Sequence, residues 1–488
     1  MNLRVVHVKK LLVLSLSFLL VACLPAPSID LEPAAPLAAA PATPTATDFP
    51  PRPEYEPGEL VEYIAHSGDT LPALAARFNT TIEQILRANP QIPEDATTMP
   101  PGMPMQIPIY YRPFWGTQFQ ILPDSLYVNG PAQVGFDVEA FVQSQPGWLK
   151  DYRDWAQGAT RSGGDIVQLV ARNYSVSPRL LLAVLEYQSG ALSNPVAPEG
   201  RYPLKIYNYN YAGLYMQLVW VANVMNHGFY GWRTGQLTEF ELRDGRLERP
   251  DPWQTAATVA LQYLFSRLKD PADYARAIGP GGIAQTYQRL FGDPWQADTP
   301  HIPVSLQQPA LTLPFRPGET WALTGGPHTG WGTLWPWAAV DFAPPAAVTG
   351  CAPSQLPVIA MADGVVARSE TGVVILDLDG DGDERTGWNL LYLHVATSGR
   401  APEGTVLAAG EVVGYPSCEG GTATGTHVHV ARKYNGEWIP ADSVIPFNFE
   451  GWIAHNGPVP YSGTLTRGGQ VVIACECANF ASQITAGR

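Results

Sequence analysis

The sequence predicts a multidomain protein with a small α+β unit in βααβ order, a mostly α middle domain, and an all-β C-terminal domain built on an antiparallel sheet. Three observations carry this. At 488 residues the chain is too long for one domain, and three is the natural expectation. Apolar residues recur at helical spacing in the small unit and again through the middle of the chain, whereas from about Leu311 short apolar runs alternate with turn residues. The 46 glycines and 47 prolines favour loop-rich β structure and linkers.

In order, Arg4, Lys9 and Lys10 precede an apolar run from Leu11 to Ala22 that is short for a membrane span and shaped like the core of an export signal. Leu20-Val21-Ala22-Cys23 resembles a bacterial lipobox, which implies that residues 1–23 are a lipoprotein signal, that Cys23 is lipidated, and that the membrane is a partner through that anchor. A simple secretory signal cut near Ala22, or an uncleaved anchor, are the alternatives; all three export the chain. Residues 24–57 are rich in Pro, Ala and Thr with almost nothing to bury, and read as a disordered tether. Extended like polyproline, it would reach about 100 Å.

The small unit spans 58–109. Val61–His66 reads as a strand, Asp69 or Thr70 caps a helix carrying Leu71, Leu74, Ala75 and Phe78, and Thr81 caps a second helix stopped at Asn89-Pro90. Met103–Ile107 closes it as a strand. Tyr63-Ile64-Ala65-His66-Ser67-Gly68-Asp69-Thr70-Leu71, Phe78-Asn79 and Asn89-Pro90 resemble a LysM module, which implies binding of N-acetylglucosamine-containing glycans.

Residues 110–300 are read as a helical domain with helices at Asp165–Tyr174, from Ser177-Pro178 onward, at Gly213–Met225 and at Pro252–Leu268. Leu181–Gly190 followed by Gly213–Leu218 is similar to lytic transglycosylases, and that resemblance makes Glu186 a candidate glycosidic acid. Tyr187-Gln188 before the serine and Tyr215 within the later run depart from that pattern, and a purely spacing domain is the other reading.

In the β region, 301–460, strands are expected at Leu311–Phe315, Val358–Met361, Val365–Ser369, Val373–Leu378, Leu390–His394, Val412–Tyr415 and His427–Ala431. Asp377, Asp379 and Asp381 with Gly382 mimic the start of a calcium loop, but Trp388 stands where a closing Glu would be, which favours a solvated hairpin over a Ca²⁺ site. Residues 461–488 read as a C-terminal β extension. In an exported chain the four cysteines after Cys23 allow three disulfide connectivities. Cys351 and Cys418 would staple two loops beside the site strands, leaving Cys475 and Cys477 to pair with each other.

His427 and His429 alternate on one strand and therefore share a face. His328, Asp341 and His394 supply further candidates for one pocket, and His301 and His455 are read as surface or loop residues. Val358–Val366, Tyr392-Leu393-His394, Ala408–Gly414 and Thr424–His429, in that order, resemble the lysostaphin-like zinc endopeptidases of bacterial cell walls. The resemblance implies one Zn²⁺ held by Asp341, His429 and a further histidine. His427 and His394 are then placed as base and as proton donor or oxyanion stabiliser, and Tyr392 either adds a hydrogen bond at the reacting centre or is a packed strand residue. Most of the family carries the remaining histidine four residues before the aspartate, where this chain has Trp337. The twelve residues between His328 and Asp341 resemble the β-lytic branch instead and make His328 that ligand.

Together these readings describe an exported hydrolase of peptidoglycan peptides, targeted by glycan binding. The alternatives are an inactive wall-binding scaffold or glycan cleavage by the middle domain. A formal net charge of −14 argues against nucleic acid as a partner.

Overall fold

A computed structural model describes residues 52–346, 349–477 and 479–487. The expected leader, Cys23 and the tether as far as residue 51 lie outside the described residues. Among those described, no helix is long and apolar enough to cross a membrane.

The small unit is built by its caps. Strand β1 (Glu59–Ile64) pairs antiparallel with β2 (Pro104–Ile109), Val61 opposite Ile107. Between them α1 (Leu71–Arg77) starts where the Thr70 hydroxyl accepts the Ala73 N–H, and α2 (Ile82–Ala88) starts at a reciprocal Thr81/Gln84 capping box. Tyr63, Leu74, Phe78, Ile85 and Ile107 fill its core. So small a core is supplemented from outside: Phe78 meets Trp253 of the middle domain edge-on at 4.9 Å, and Arg77 donates to the Trp232 carbonyl.

The middle domain carries the expected helices with shifted ends. Helix α3 (Gly163–Tyr174) is capped by Ser162, and α4 (Pro178–Ser189) by Ser177 with Pro at N1. Helix α5 runs Leu214–Arg233, past the expected stop at Met225. In the added turns Gly228 lets the helix pack closely on α6 (Ala256–Leu268), since a Cβ there would come within 2.9 Å of Ala260. Helix α6 begins later than expected because Thr255, not a residue near Pro252, takes the cap.

The β domain centres on one antiparallel sheet. Its main strands are β3 (Thr320–Thr329), β4 (Trp337–Ala343), β5 (Gly364–Glu370), β6 (Gly372–Asp377), β7 (Trp388–Val395) and β8 (Val428–Tyr434). They lie in the order β5-β6-β7-β8-β4-β3, with Val406–Leu407 beyond β5 and Gln483–Thr485 beyond β3. A separate four-stranded sheet runs from Asn448–Phe449 to Gln470–Ile473, so residues on both sides of 460 pair with each other. Leu311–Phe315 is not a strand. Its apolar side chains enter the core, but its backbone makes isolated bonds to Met361 and Glu450 rather than a ladder.

The two faces of the sheet have different partners. Val340, Val374, Leu390, Tyr392 and Val430 face a core completed by Leu313, Phe447 and Trp452. Ala339, Ile375, Leu391 and Ala431 face the other way, in one continuous apolar cluster with α3 to α6. Helices thus cover part of the second face. A buried charge cluster ties the layers: Arg233 of α5 forks onto Glu437, whose strand pairs with β8, and also pairs with Asp124. His301, expected at the surface, is buried here and bonds Glu437 at 2.8 Å, because the segment it begins is clamped between the small unit and the sheet.

Candidate metal centre

Register brings the site together on the helix-facing side of the sheet. Asp341 of β4 lies directly opposite His429 of β8 on one side and Gly325 of β3 on the other, so the Asp341 and His429 side chains emerge on one face. Gly325 is required there, since a Cβ would come within 2.5 Å of the Asp341 carboxylate. Register irregularities in β3 between Leu323 and Thr329 turn His328 toward the same point.

Three ligand-type atoms converge. His328 Nε2 lies 2.9 Å from His429 Nδ1 and 3.3 Å from Asp341 Oδ1, and His429 Nδ1 lies 3.2 Å from that oxygen. A tetrahedral zinc with bonds of about 2.0–2.1 Å needs ligand atoms about 3.3 Å apart, so this triangle has the size of one face of such a tetrahedron. Asp341 Oδ1 is buried and has no hydrogen-bond partner among the described residues. Buried carboxylate oxygens are rarely left so, and the two facing imidazoles supply the rest of a His₂Asp donor set.

Each imidazole is aimed by a backbone carbonyl. His328 Nδ1 bonds Gly326 O at 2.8 Å and His429 Nε2 bonds Gly330 O at 3.1 Å, leaving the opposite nitrogen of each as the lone-pair atom facing the cluster. His394 Nδ1 bonds Glu419 O at 2.9 Å and His427 Nδ1 bonds Gly425 O at 2.7 Å, so their Nε2 atoms are free for other work. Their rings lie 4.5 Å apart, and His427 Nε2 is 3.9 Å from Asp341 Oδ2. Burial opposes ionisation of Asp341, but His328 and His429 outweigh it and hold the carboxyl well below the usual range. Burial, reinforced by His427 and His429, lowers His394 to about 4 and keeps it neutral.

His394 reaches this face by breaking the strand period. Tyr392 and His394 should share a face, yet His394 has φ +65° at an irregularity between β6 and β7, which throws its ring to the opposite side. Tyr392 stays in the core on the far side of the sheet, where its hydroxyl accepts the Met361 N–H at 2.8 Å, so the expected part for Tyr392 at the reacting centre is corrected. Trp337 lies at the start of β4, stacked on Trp335 with centroids 4.9 Å apart, and His328 stands at the cluster. Tyr461, left by the sequence in an extension without a role, stacks on His328 at 4.0 Å. Its only sequence signal is an aromatic ring in a turn-rich stretch.

Other candidates lie elsewhere. Glu186 is buried at the end of α4, where its carboxylate accepts the Leu192 and Ser193 N–H groups and pairs with Arg289. Asp377, Asp379 and Asp381 form a group of suitable compactness for a cation. Within it Asp377 accepts N–H groups from Asp379, Gly380 and Gly382, the bonding of a tight hairpin loop. Disulfides join Cys351 to Cys418 and Cys475 to Cys477; the first ties the loop after β4 to the one leading to His427.

Residues 63–108 match the LysM domain family, and residues 120–305 match the family described as LasA, N-terminal domain. The chain is 27% identical over 342 residues to Protease LasA of Pseudomonas aeruginosa strain UCBPP-PA14, covering 65% of this chain and 74% of that protein. It is 26% identical over 344 residues to the same protein of a second strain, with the same coverage. Among solved structures, the M23 metalloprotease pseudoalterin from the deep sea is 21% identical, with 34% of this chain and 96% of that chain covered and a TM-score of 0.29. The catalytic domain of lysostaphin from Staphylococcus simulans is 19% identical, with 26% and 89% covered and a TM-score of 0.18.

Proposed function

We propose that this chain is an exported cell-wall hydrolase, a zinc-dependent endopeptidase that cleaves peptide cross-links or stems of peptidoglycan and is held near its substrate by glycan binding through the LysM module. The observation that carries this is the triangle of His328 Nε2, Asp341 Oδ1 and His429 Nδ1, with edges of 2.9, 3.2 and 3.3 Å. The similarity to Protease LasA over 342 residues supports it.

His328, Asp341 and His429 are the residues that would hold the zinc. When bound, zinc supplies Lewis acidity toward a scissile carbonyl and brings the pKa of water toward neutrality. The remaining chemistry belongs to the protein. His427, the most exposed of the four imidazoles, presents Nε2 beside Asp341 and takes the proton from attacking water. His427 then delivers that proton to the leaving amine, while His394, neutral and fixed through Nδ1 to Glu419 O, keeps an unprotonated Nε2 beside the His427 ring. Bonds from all four rings to backbone carbonyls preset these directions, so little reorganisation accompanies the reaction. The LysM module keeps glycan strands near the site, raising the effective concentration of the attached peptides. Lipidation at Cys23 would place the enzyme at the envelope surface.

Purified protein should contain close to one zinc per chain and should release new amino termini from isolated peptidoglycan without generating new sugar ends. His429→Ala should lose both metal and activity by at least a hundredfold. Full wall hydrolysis by that variant, or sugar ends as the product, would refute the reading.

A further inference from the structure

We propose that Asn223, on α5 of the middle domain, is a positioning residue for the metal centre, acting through the 330–336 loop on the imidazole of His429. The proposal rests on the reading of His328, Asp341 and His429 as zinc ligands. Asn223 does not touch the site. Its effect passes through three contacts.

The first is the bond from His429 Nε2 to Gly330 O, which decides where Nδ1 points. The second is the loop that holds this carbonyl. Gly330 N–H bonds Pro336 O at 3.1 Å, and the Thr329 hydroxyl bonds Leu334 O, so the segment is closed on itself. The third is what the loop rests on. Asn223 Oδ1 accepts the Thr333 N–H at 2.9 Å, while Asn223 Nδ2 donates to the Val219 carbonyl one turn back at 3.0 Å and so fixes the direction of the amide.

The fit leaves no slack at the loop tip. Gly332 has φ +91°, and a Cβ there would lie 2.3 Å from Asn223 Oδ1 and 2.8 Å from the Tyr174 ring of α3. Below the other end, a Cβ on Gly330 would approach the Trp438 ring to 3.1 Å, and the Trp438 N–H is itself held by the Tyr230 hydroxyl of α5 at 3.0 Å. The middle domain therefore supports both ends of the segment that aims a metal ligand. A spacer domain would need neither contact, and an amide at 223 is the one polar group α5 offers to the loop backbone among the described bonds.

The test compares zinc binding by the full chain, measured by chelator competition, with the absorption spectrum of the cobalt-substituted protein. Asn223→Ala should raise the zinc dissociation constant about tenfold and alter the cobalt spectrum, since loss of outer-shell support usually costs 10- to 100-fold. Asn223→Asp keeps the acceptor for Thr333 and should restore affinity and spectrum toward the parent. Gly332→Ala, an exposed loop change that displaces the tip from Asn223, should weaken zinc in the same way and serves if the alanine variant does not fold. Parent-like affinity and spectrum in a folded Asn223→Ala or Gly332→Ala protein would overturn the proposal. A parent that takes up no zinc would instead sink the metal reading itself, and the inference with it.

Discussion

Glu437 offers the sharpest measurement of how the domains hold each other. Its carboxylate is fully buried, receives two bonds of 2.9 Å from Arg233 and one of 2.8 Å from His301, and joins the β domain to α5. Burial alone would raise its pKa, but Arg233 and His301 outweigh it and bring the group from 4.5 to about 2. A depression of about 2.5 units at 1.36 kcal/mol each corresponds to about 3 kcal/mol of stability. An independent route gives a similar figure, since removing one partner of a buried ion pair costs about 3–5 kcal/mol. The sign follows from the depressed pKa: the contribution is complete above pH 4.5 and is lost as pH falls toward 2. Glu437→Gln should therefore lose about 3 kcal/mol at pH 7 in denaturant unfolding followed by tryptophan fluorescence, and the gap from the parent should close below pH 4.5. Replacing both partners, in Arg233→Met with Glu437→Met, should recover most of the loss. A Gln variant within 1 kcal/mol of the parent at pH 7, or a gap that does not vary with pH, would refute this account.

Two further outcomes test the assignments around the site. Tyr392→Phe should cost about 1–3 kcal/mol of stability, because it leaves the buried Met361 N–H without its acceptor, and should leave zinc affinity unchanged; a loss of zinc would return the tyrosine to the site. Replacing Cys351 and Cys418 together by serine should destabilise by up to about 4 kcal/mol on the loop-entropy estimate for a separation of 67 residues, with faster proteolysis of the loops flanking His427. Unchanged stability and protease resistance would show that those loops are held by other contacts.

The readable parts of this protein were those in which local pattern and final structure agree. Thr70, Thr81 and Ser177 begin their helices as their sequence context suggests, because a capping hydroxyl is satisfied within three residues. Two of the strands that matter most were not legible. β3 and β4 carry His328 and Asp341, yet Gly325-Gly326-Pro327 has the composition of a loop, and the glycine at 325 is there to admit a carboxylate from the neighbouring strand. Tyr392 and His394 failed in the opposite sense. A spacing of two on a regular strand puts both side chains on one face, but a positive φ at His394, at a register irregularity visible only once β6 and β7 are paired, separates them.

The same reasoning explains why the middle domain's bearing on the site could not be read from sequence. Asp341 and His429 share their face of the sheet with Ala339 and Ala431, each two residues away, and those alanines lie in the apolar cluster of α3 to α6. Small residues at 339 and 431 let the helices approach the sheet closely, which brings Asn223 against the loop after β3 and Arg233 against Glu437. In the sequence these alanines are unremarkable strand residues, about seventy positions or more from the helices they meet. Only the paired register shows that the surface presenting the candidate ligands and the surface gripped by the helices are one continuous face, so a change in how the helices dock reaches the ligands within two residues.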